Sequence, residues 1–328
     1  MAQTAESILF SSIFYQWAET NGEPFSVSTE RQLIEEGVAT PDLYFLLEGT
    51  AQVSSWAKTE ANEMELAELV EIHRGQIVGE MSLLEDRLPV ANVTANSGSR
   101  WIRVNYEHLL AAMANDKRLA ASVYKVLGAK LALQLNNQNS FIHRWPGNAL
   151  EPIRKVLLLF GEWNDLDVAW LARNGTRLDA EPGVNFIQEG MSVDQLFVVL
   201  DGEAEVTVNL NGYPSPVGRS RRGEVLGEMS FLTDDDQATA TVIAREPIRL
   251  LAMPKDRMRE QLSNDLAFAE RFYRSLAVLL SNRCRDQLIA RGIAARATAL
   301  EELDHGTLSL VSTAGRRFDW LCQEIAYQ

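Results

Sequence analysis

The sequence has few of the residues on which covalent and metal chemistry depend. Its 328 residues include two cysteines, Cys284 and Cys322, which form no CxxC pair, and four histidines without a metal-ligating spacing such as HExxH. A Walker loop, a GxSxG elbow and a plausible Cys-His arrangement are also missing. We therefore predict that the chain is not an enzyme, with no catalytic residue, no metal site and two ordinary thiols.

Long apolar runs and an excess of basic charge are missing as well. No apolar run approaches the ~18 residues of a membrane span, and the N-terminal residues lack the basic and apolar regions of a signal peptide. We therefore expect a cytoplasmic protein with no membrane span. The formal net charge of −14 repels phosphate backbones, which argues against DNA as a partner.

What the sequence does contain is a repeat of domain size. Gly79-Glu-Met-Ser82 recurs as Gly227-Glu-Met-Ser230, and the surroundings of the two motifs keep register. Matching pairs include Trp17 and Trp170, Gly37 and Gly190, Gly49 and Gly202, Val93 and Val242, and Tyr124 and Tyr273. So long a period indicates a domain duplication rather than a solenoid. We predict domains at 1–145 and 146–292, joined near Trp145-Pro-Gly147, and a C-terminal tail at 293–328.

Each copy has the pattern of a helix, several short strands that end at glycine, and a long closing helix. The predicted strands are Gln32–Gly37, Leu43–Gly49 and Thr50–Val53 in the first copy, and Asn185–Gly190, Leu196–Gly202 and Glu203–Val208 in the second. This pattern predicts a mainly β fold with helices (α+β), a barrel or sandwich rather than a parallel α/β sheet.

Two surfaces leave alternatives open. The closing segments, Leu109 to Leu135 and Met258 to Leu288, carry broad apolar stripes at helical spacing. Such a stripe packs either on its own domain alone or also on a partner helix, in a homodimer or a larger complex. Residues 57–71 hold five glutamates and one lysine, and are either a solvated hairpin or an interaction surface.

The repeated Gly-Glu-Met-Ser motif suits the capture of an anion. Glycine lets the backbone approach a ligand closely, and the free N–H groups of the helical turn that follows point towards a phosphate. The neighbouring glutamate can accept hydrogen bonds from ribose hydroxyls. In both copies the motif follows strand-like segments and precedes a run of small residues, Val90 to Ala95 and Ala238 to Ala244.

On these residues both halves resemble the cyclic nucleotide-monophosphate binding domain of catabolite activator proteins, protein kinase A regulatory subunits and cyclic-nucleotide-gated channels. The resemblance covers roughly residues 8–140 and 155–290. It implies two jelly-roll barrels with flanking helices, each with a phosphate-binding cassette, and cAMP or cGMP as ligand. The implied ligand-binding residues are Gly79, Glu80, Met81, Ser82, Ala91 and Asn92 in the first copy, and Gly227, Glu228, Met229, Ser230, Thr239, Ala240 and Thr241 in the second.

The second half of each cassette departs from the family pattern. Counted back from Val93 and Val242, the family's phosphate-binding arginine should stand at Pro89 and Ala238, which carry no charge. Arg87 in the first copy, and Arg219, Arg221 and Arg222 in the second, are candidates for compensation. Asp234 to Asp236 lie where an anion should bind and are expected to repel it. Glu80 and Glu228 are therefore either ligand-binding groups or structural residues that hold the barrel together.

Two functions fit these observations. The first is a non-catalytic regulatory or adaptor protein that senses a nucleotide weakly or serves as a scaffold for a protein partner. The second is a catabolite-activator-type transcription regulator that lacks its helix-turn-helix or is truncated in it, since Leu321 to Ala326 in the tail is faintly similar to the first helix of such a motif. A kinase regulatory subunit would need a basic inhibitor segment, and residues 1–30 contain no lysine or arginine.

Overall fold

A computed structural model of the chain describes residues 9–58, 63–140, 158–210, 212–233, 236–290, 293 and 305–326. The chain divides into two compact units. The first comprises residues 1–135, 143–150 and 280–303, and the second comprises residues 136–142, 151–279 and 304–328. The predicted joint at Trp145-Pro-Gly147 lies outside the described residues. The predicted domain limits differ from these units most at residues 280–292, which lie with the first unit, and they remain a prediction.

The first unit contains two four-stranded antiparallel sheets among its described residues. The strands are β1 (Glu23–Ser26), β2 (Arg31–Ile34), β3 (Asp42–Glu48), β4 (Thr50–Lys58), β5 (Met64–His73), β6 (Ile77–Val78), β7 (Asn92–Ala95) and β8 (Arg100–Asn105). They are ordered β1-β8-β3-β6 in one sheet and β2-β7-β4-β5 in the other. The helices are α1 (Ile13–Asn21), α2 (Glu80–Glu85), α3 (Tyr106–Asn115) and α4 (Lys117–Ser140).

The second unit repeats this arrangement after helices α5 (Leu158–Glu162) and α6 (Asp165–Asn174). Its strands are β9 (Thr176–Ala180), β10 (Asn185–Ile187), β11 (Gln195–Asp201), β12 (Glu203–Leu210), β13 (Tyr213–Arg221), β14 (Val225–Leu226), β15 (Thr241–Ala244) and β16 (Ile248–Pro254). Their orders, β14-β11-β16-β9 and β10-β15-β12-β13, match those of the first unit strand for strand. A 3-10 helix at Glu228–Phe231 replaces α2, and α7 (Lys255–Asn264) and α8 (Leu266–Ala290) follow.

The repetition extends to irregularities in the strands. The pairing of β4 with β5 shifts register between Val53 and Ser54, and the pairing of β12 with β13 shifts between Val206 and Thr207, the matching residues of the second copy. Such bulges bend a strand and increase its twist, so both sheets curve at the same place. The predicted duplication and the predicted mainly β fold of two jelly-roll domains with flanking helices are confirmed.

The inner faces of the sheets supply the core of each unit. Alternating residues of β3, β4 and β8 meet in the first unit, where Leu46, Ala51 and Trp101 are fully buried. In the second unit the fully buried residues of the equivalent strands are Val199, Ala204 and Leu250. Burying aliphatic and aromatic side chains of this size is the main favourable contribution to folding of such sheets.

The closing helices differ from the sequence-based prediction in one respect. An uninterrupted helix was expected in each copy, but the helix is broken at Asp116 and at Asp265. The Asp116 carboxylate accepts hydrogen bonds from the backbone N–H groups of Arg118 and Leu119 at 2.9 and 3.1 Å. Asp265 does the same for Phe268 at 2.9 Å. Aspartate caps a new helix in this way, so each predicted closing segment is a short helix followed by a long one.

The apolar stripe on these helices is covered by the chain itself. Leu109, Leu127 and Leu131 are fully buried, as are Met258 and Leu276. The homodimer stays a prediction, but the surface that suggested it is occupied by intramolecular packing. No helix in the described ranges is both long and apolar enough to cross a membrane.

The predicted tail contains a helix, α9 (His305–Ala326), that packs on α5 and α6 in the second unit. Phe318 stacks edge-on against Phe160, with ring centroids 5.0 Å apart, and Leu321 and Ile325 are fully buried. The Arg317 guanidinium donates to the carboxylate of Asp165 at 2.7 Å and to the Phe160 carbonyl at 3.1 Å. The segment Leu321 to Ala326 is therefore the end of a packing helix.

Candidate functional site

The first cassette, residues 78–95, begins at a glycine that no other residue could replace without strain. Gly79 has a φ of +94°, and a Cβ added there would lie 2.7 Å from the carbonyl oxygen of Asp42. The Tyr106 hydroxyl donates to the Gly79 carbonyl at 2.6 Å. Burial, and after it the nearby Glu80 carboxylate, raises the pKa of Tyr106, so this hydroxyl stays protonated as a donor.

Glu80, the candidate ribose ligand, already has a charged partner. Its side chain is almost completely buried, with 3% of the residue exposed. The ammonium group of Lys130, on α4, forms an ion pair with one of its carboxylate oxygens. Met81 and Ser82, whose backbone should meet a phosphate, are also buried. The turn is thus formed, and the negative charge of Glu80 is neutralised by Lys130 of the same chain.

The far end of α2 is held by a second buried ion pair. The Arg285 guanidinium, fully buried, donates to the Glu85 carboxylate at 2.5 Å and to the Leu88 carbonyl at 3.1 Å. Ser281 donates to the other oxygen of Glu85. Burial raises the pKa of Glu85, against the opposing effect of Arg285. Both bonding groups come from residues 280–303 of the first unit, so this segment fixes the first cassette.

The side chain of Asn92 links neighbouring strands at the first cassette by hydrogen bonds. Its side-chain oxygen accepts hydrogen bonds from the Glu36 N–H at 3.0 Å and from the Gln32 amide at 3.2 Å. The Glu36 carboxylate in turn accepts from the Trp56 N–H at 2.7 Å. Pro89, at the expected arginine position, is buried, and its carbonyl accepts from the Gly37 N–H at 3.0 Å. Ala91, between these residues, is partly exposed.

The second cassette, residues 226–244, keeps the same turn with different contacts. Gly227 has a φ of +82°, and a Cβ there would lie 2.9 Å from the Gln195 carbonyl oxygen. The Ser230 hydroxyl donates to the Gly227 carbonyl at 2.7 Å. Glu228 is 4% exposed, as deeply buried as Glu80. The Thr239 hydroxyl lies 3.7 Å from the Met229 sulfur and faces solvent.

Thr241, at the position of the second copy that matches Asn92, makes an equivalent hydrogen-bonded link. Its hydroxyl oxygen accepts from the Glu189 N–H at 3.1 Å, and the Glu189 carboxylate accepts from the Asn209 N–H at 2.7 Å. Glu36 and Glu189 occupy matching places in the repeat, as do Trp56 and Asn209. These two glutamates were not identified from the sequence as groups that hold neighbouring strands together. Their identical position, directly before Gly37 and Gly190, was a signal that could have identified them. Ala240, the remaining candidate, is partly exposed beside Thr241.

The arginines considered as compensation are engaged elsewhere. Arg221 and Arg219 form ion pairs with Glu203 at 2.7 and 3.3 Å. The hydrogen bond from Arg221 is the main cause of a lowered pKa at Glu203, and the positive charges of both arginines add to it. Arg222 pairs with Asp319 of α9 at 2.9 Å. In the first cassette Arg87 lies 3.4 Å from Glu85.

Asp236 does not act as the uncompensated charge that the sequence suggested. Its carboxylate accepts from the buried ammonium of Lys255 at 2.6 Å and from the Arg259 guanidinium at 2.8 Å. The hydrogen bond from Lys255 lowers the pKa of Asp236. The expected repulsion is offset at this residue, while Asp234 and Asp235 lie outside the described part of the chain. Ala238 is packed in the apolar core of the unit.

The two cysteines have the character of ordinary thiols in this structure. Cys284 is buried, and burial raises its pKa far above the ordinary value. Burial also raises the pKa of Cys322. Neither is poised as a thiolate nucleophile. Within the described ranges no group of three or more His, Cys, Asp or Glu residues is placed to hold a metal ion.

Comparison with known proteins agrees with this architecture. The model of the cyclic nucleotide-binding domain family matches residues 25–116 and 177–265, more than half of the chain. The chain belongs to the cyclic nucleotide-binding domain family, with two domains in tandem. Tandem domains of this family support a regulatory role in nucleotide sensing.

Solved structures give distant matches. The regulatory domain of Toxoplasma gondii protein kinase A, crystallised with cAMP, is 17% identical, and the match covers 86% of this chain and 95% of that one with a TM-score of 0.32. The regulatory subunit of a cAMP-independent protein kinase A from Trypanosoma cruzi, bound to guanosine, is 18% identical over 81% and 83%, with a TM-score of 0.31. A cyclic nucleotide-binding domain from Methylobacillus flagellatus is 20% identical over 46% and 85%, with a TM-score of 0.37.

Proposed function

We propose that this protein is a non-catalytic regulatory or adaptor protein that senses a nucleotide weakly, mainly through its second cassette. One observation carries the proposal: both glutamates are buried in intact Gly-Glu-Met-Ser turns, while Pro89 and Ala238 stand where the family has its phosphate-binding arginine. The turn for a ribose and a phosphate is thus kept, and the charge that strengthens phosphate binding is missing.

The missing arginine sets the expected affinity. A charge-assisted hydrogen bond contributes about 1.5–3 kcal/mol, so its loss weakens binding by about one to two decades. We therefore expect micromolar or weaker binding of cAMP or cGMP. The phosphate would lie against the backbone N–H groups of Met229 and Ser230, and the ribose against Glu228.

The second cassette is the better candidate because Thr239-Ala-Thr-Val242 keeps the small and hydroxyl residues of the family pattern. Lys130 neutralises Glu80, and a ribose hydroxyl would have to compete with that ion pair. The register that pairs Tyr124 with Tyr273 aligns Lys130 with Leu279. The second copy therefore has leucine where the first has Lys130.

Calorimetric titration with cAMP, cGMP and cyclic dinucleotides tests the proposal, with thermal shift as a second readout. A ligand at 100 times its dissociation constant should stabilise the folded state by about 2.7 kcal/mol. Glu228→Ala should abolish the measured binding, and the matched variant Glu80→Ala should leave most of it. Tight cAMP binding that survives both substitutions would contradict the role of the cassettes. No binding of any nucleotide, even after arginine is restored, would leave a scaffold for a protein partner as the function.

A further inference from the structure

The edge strand β5 of the first unit carries an apolar and acidic surface that no part of its own sheet covers. Within the described residues β5 pairs with β4 on one side only, at the end of the order β2-β7-β4-β5. Three large apolar side chains on it are exposed: Met64 by 42%, Leu66 by 48% and Val70 by 53%. An edge strand presents unpaired backbone N–H and C=O groups that can pair with another chain.

The charge of this strand is of one sign. Glu65, Glu68 and Glu71 recur at every third residue among the apolar residues, and residues 63–73 contain no lysine or arginine. Directly across the pairing with β4, Glu65 faces Ala57, Glu68 faces Ser54 and Glu71 faces Gln52. No residue opposite these glutamates neutralises them, and the His73 contact with Glu71, at 3.9 Å between exposed side chains, adds little.

The equivalent edge in the second unit, β13, is built in the opposite way. It contains Pro214 and Pro216, which have no N–H to offer another strand. Its charges are neutralised within the hairpin, where Glu203 lies opposite Arg221 and bonds to it at 2.7 Å. The two equivalent edge strands therefore differ: β13 is protected from pairing with a further strand (a closed edge), and β5 is not (an open edge). The protection is specific to β13 and is not a general property of the domain.

We propose that β5 binds an extended basic segment of a protein partner, which adds to the sheet as a further strand. Lysine or arginine at every third position would lie against the glutamates, and apolar residues between them would cover Leu66 and its neighbours, the pattern of recognition by strand addition. A second copy of β5 is disfavoured, because it would place glutamate against glutamate. Prolines exclude β13 of a second copy from the same role.

The test uses the full chain and a labelled ten-residue peptide with lysine at every third position and valine at the others, with binding followed by fluorescence anisotropy. A control peptide has the same residues except for two central prolines, which prevent it from forming a continuous strand. The double variant Glu65→Lys/Glu68→Lys should weaken binding of the first peptide at least tenfold, and Leu66→Ser should also weaken it. The matched variant Glu246→Lys/Glu181→Lys in the second unit changes the net charge by the same amount as the first double variant, and it should bind as the unaltered chain does.

The controls separate strand addition from general attraction to a chain of charge −14. Equal binding of the proline peptide, or equal weakening by the substitutions at Glu246 and Glu181, would overturn the proposal. Protection of β5 backbone amides from hydrogen exchange on adding the lysine-valine peptide should accompany binding, and its absence would also overturn it. Concentration-dependent dimerisation that Leu66→Ser abolishes would assign the edge to a second copy instead. No nucleotide enters the experiment, so its failure leaves the proposed nucleotide sensing untouched.

Discussion

The two cassettes share a backbone and differ in where the chain places its cations. In the first, Lys130 reaches Glu80 from α4, and Tyr106 closes on the Gly79 carbonyl. In the second, the residue that matches Tyr106 is Lys255, which bonds to Asp236 instead. One lysine thus occupies a candidate ligand group, and the other neutralises a loop. A turn with the same sequence therefore does not fix the chemistry of a site, because charged neighbours on helices decide which groups a ligand can reach.

The largest expected effect concerns the ion pair that holds the first cassette. Arg285→Met should lower the free energy of unfolding by about 3–5 kcal/mol, because the buried Glu85 carboxylate then loses its nearest cation and keeps Ser281 and the more distant Arg87. Urea denaturation measures the change. The double variant Arg285→Met/Glu85→Leu should recover most of the loss, since an apolar pair of similar volume is often neutral. A loss below about 1 kcal/mol for the single variant would show that the pair does not hold the cassette.

A smaller effect is expected when the first cassette is given the residue of the second. Lys130→Leu should destabilise the protein by about 3 kcal/mol, because Glu80 loses its cation while it stays buried. The lysine itself is partly exposed, which keeps the effect below that at Arg285. Arg118→Leu, at the exposed start of the same helix, serves as control and should change stability by less than about 0.5 kcal/mol. Equal losses in the two variants would contradict a specific role for the ion pair.

Restoring arginine should sharpen the contrast between the cassettes in ligand affinity. Ala238→Arg should strengthen nucleotide binding by about one to two decades, equivalent to 1.5–3 kcal/mol. Pro89→Arg should gain less, because Lys130 still occupies Glu80. Calorimetric titration of both variants gives the two affinities, and circular dichroism checks that the buried position tolerates the larger side chain. An equal gain at both sites would mean that Lys130 does not obstruct the first.

The smallest expected effect is a pH dependence in the second unit. Because the pKa of Asp236 is lowered in the folded state, its contribution to stability is present above its ordinary pKa and is lost as the pH falls through the lowered value. Asp236→Asn should cost about 1 kcal/mol near pH 7, since the carboxylate is partly exposed. The difference from the unaltered chain should shrink below about pH 4. A difference that stays constant from pH 7 to pH 3 in thermal unfolding would contradict the ion pairs with Lys255 and Arg259.

The sequence by itself determined the duplication, the mainly β architecture and the position of both cassettes. Glycines such as Gly79 and Gly227 are readable because only glycine fits their backbone conformation beside a neighbouring carbonyl. The strands are readable because apolar residues in short runs end at such turns. Local rules of this kind need no knowledge of distant residues. They fell short at Asp116 and Asp265, where a carboxylate cap outweighed an unbroken apolar stripe.

Only the tertiary structure decided the state of the site. The structure shows three ion pairs that the sequence did not predict: Lys130 with Glu80, Arg285 with Glu85, and Lys255 with Asp236. Each pair joins residues that are far apart in the chain or on different elements. The strength of an ion pair depends on burial and geometry, which sequence spacing does not encode. Strand order likewise places β5 and β13 at the edges of their sheets. The sequence then makes these two edges different, because β13 contains Pro214 and Pro216 and β5 contains no proline.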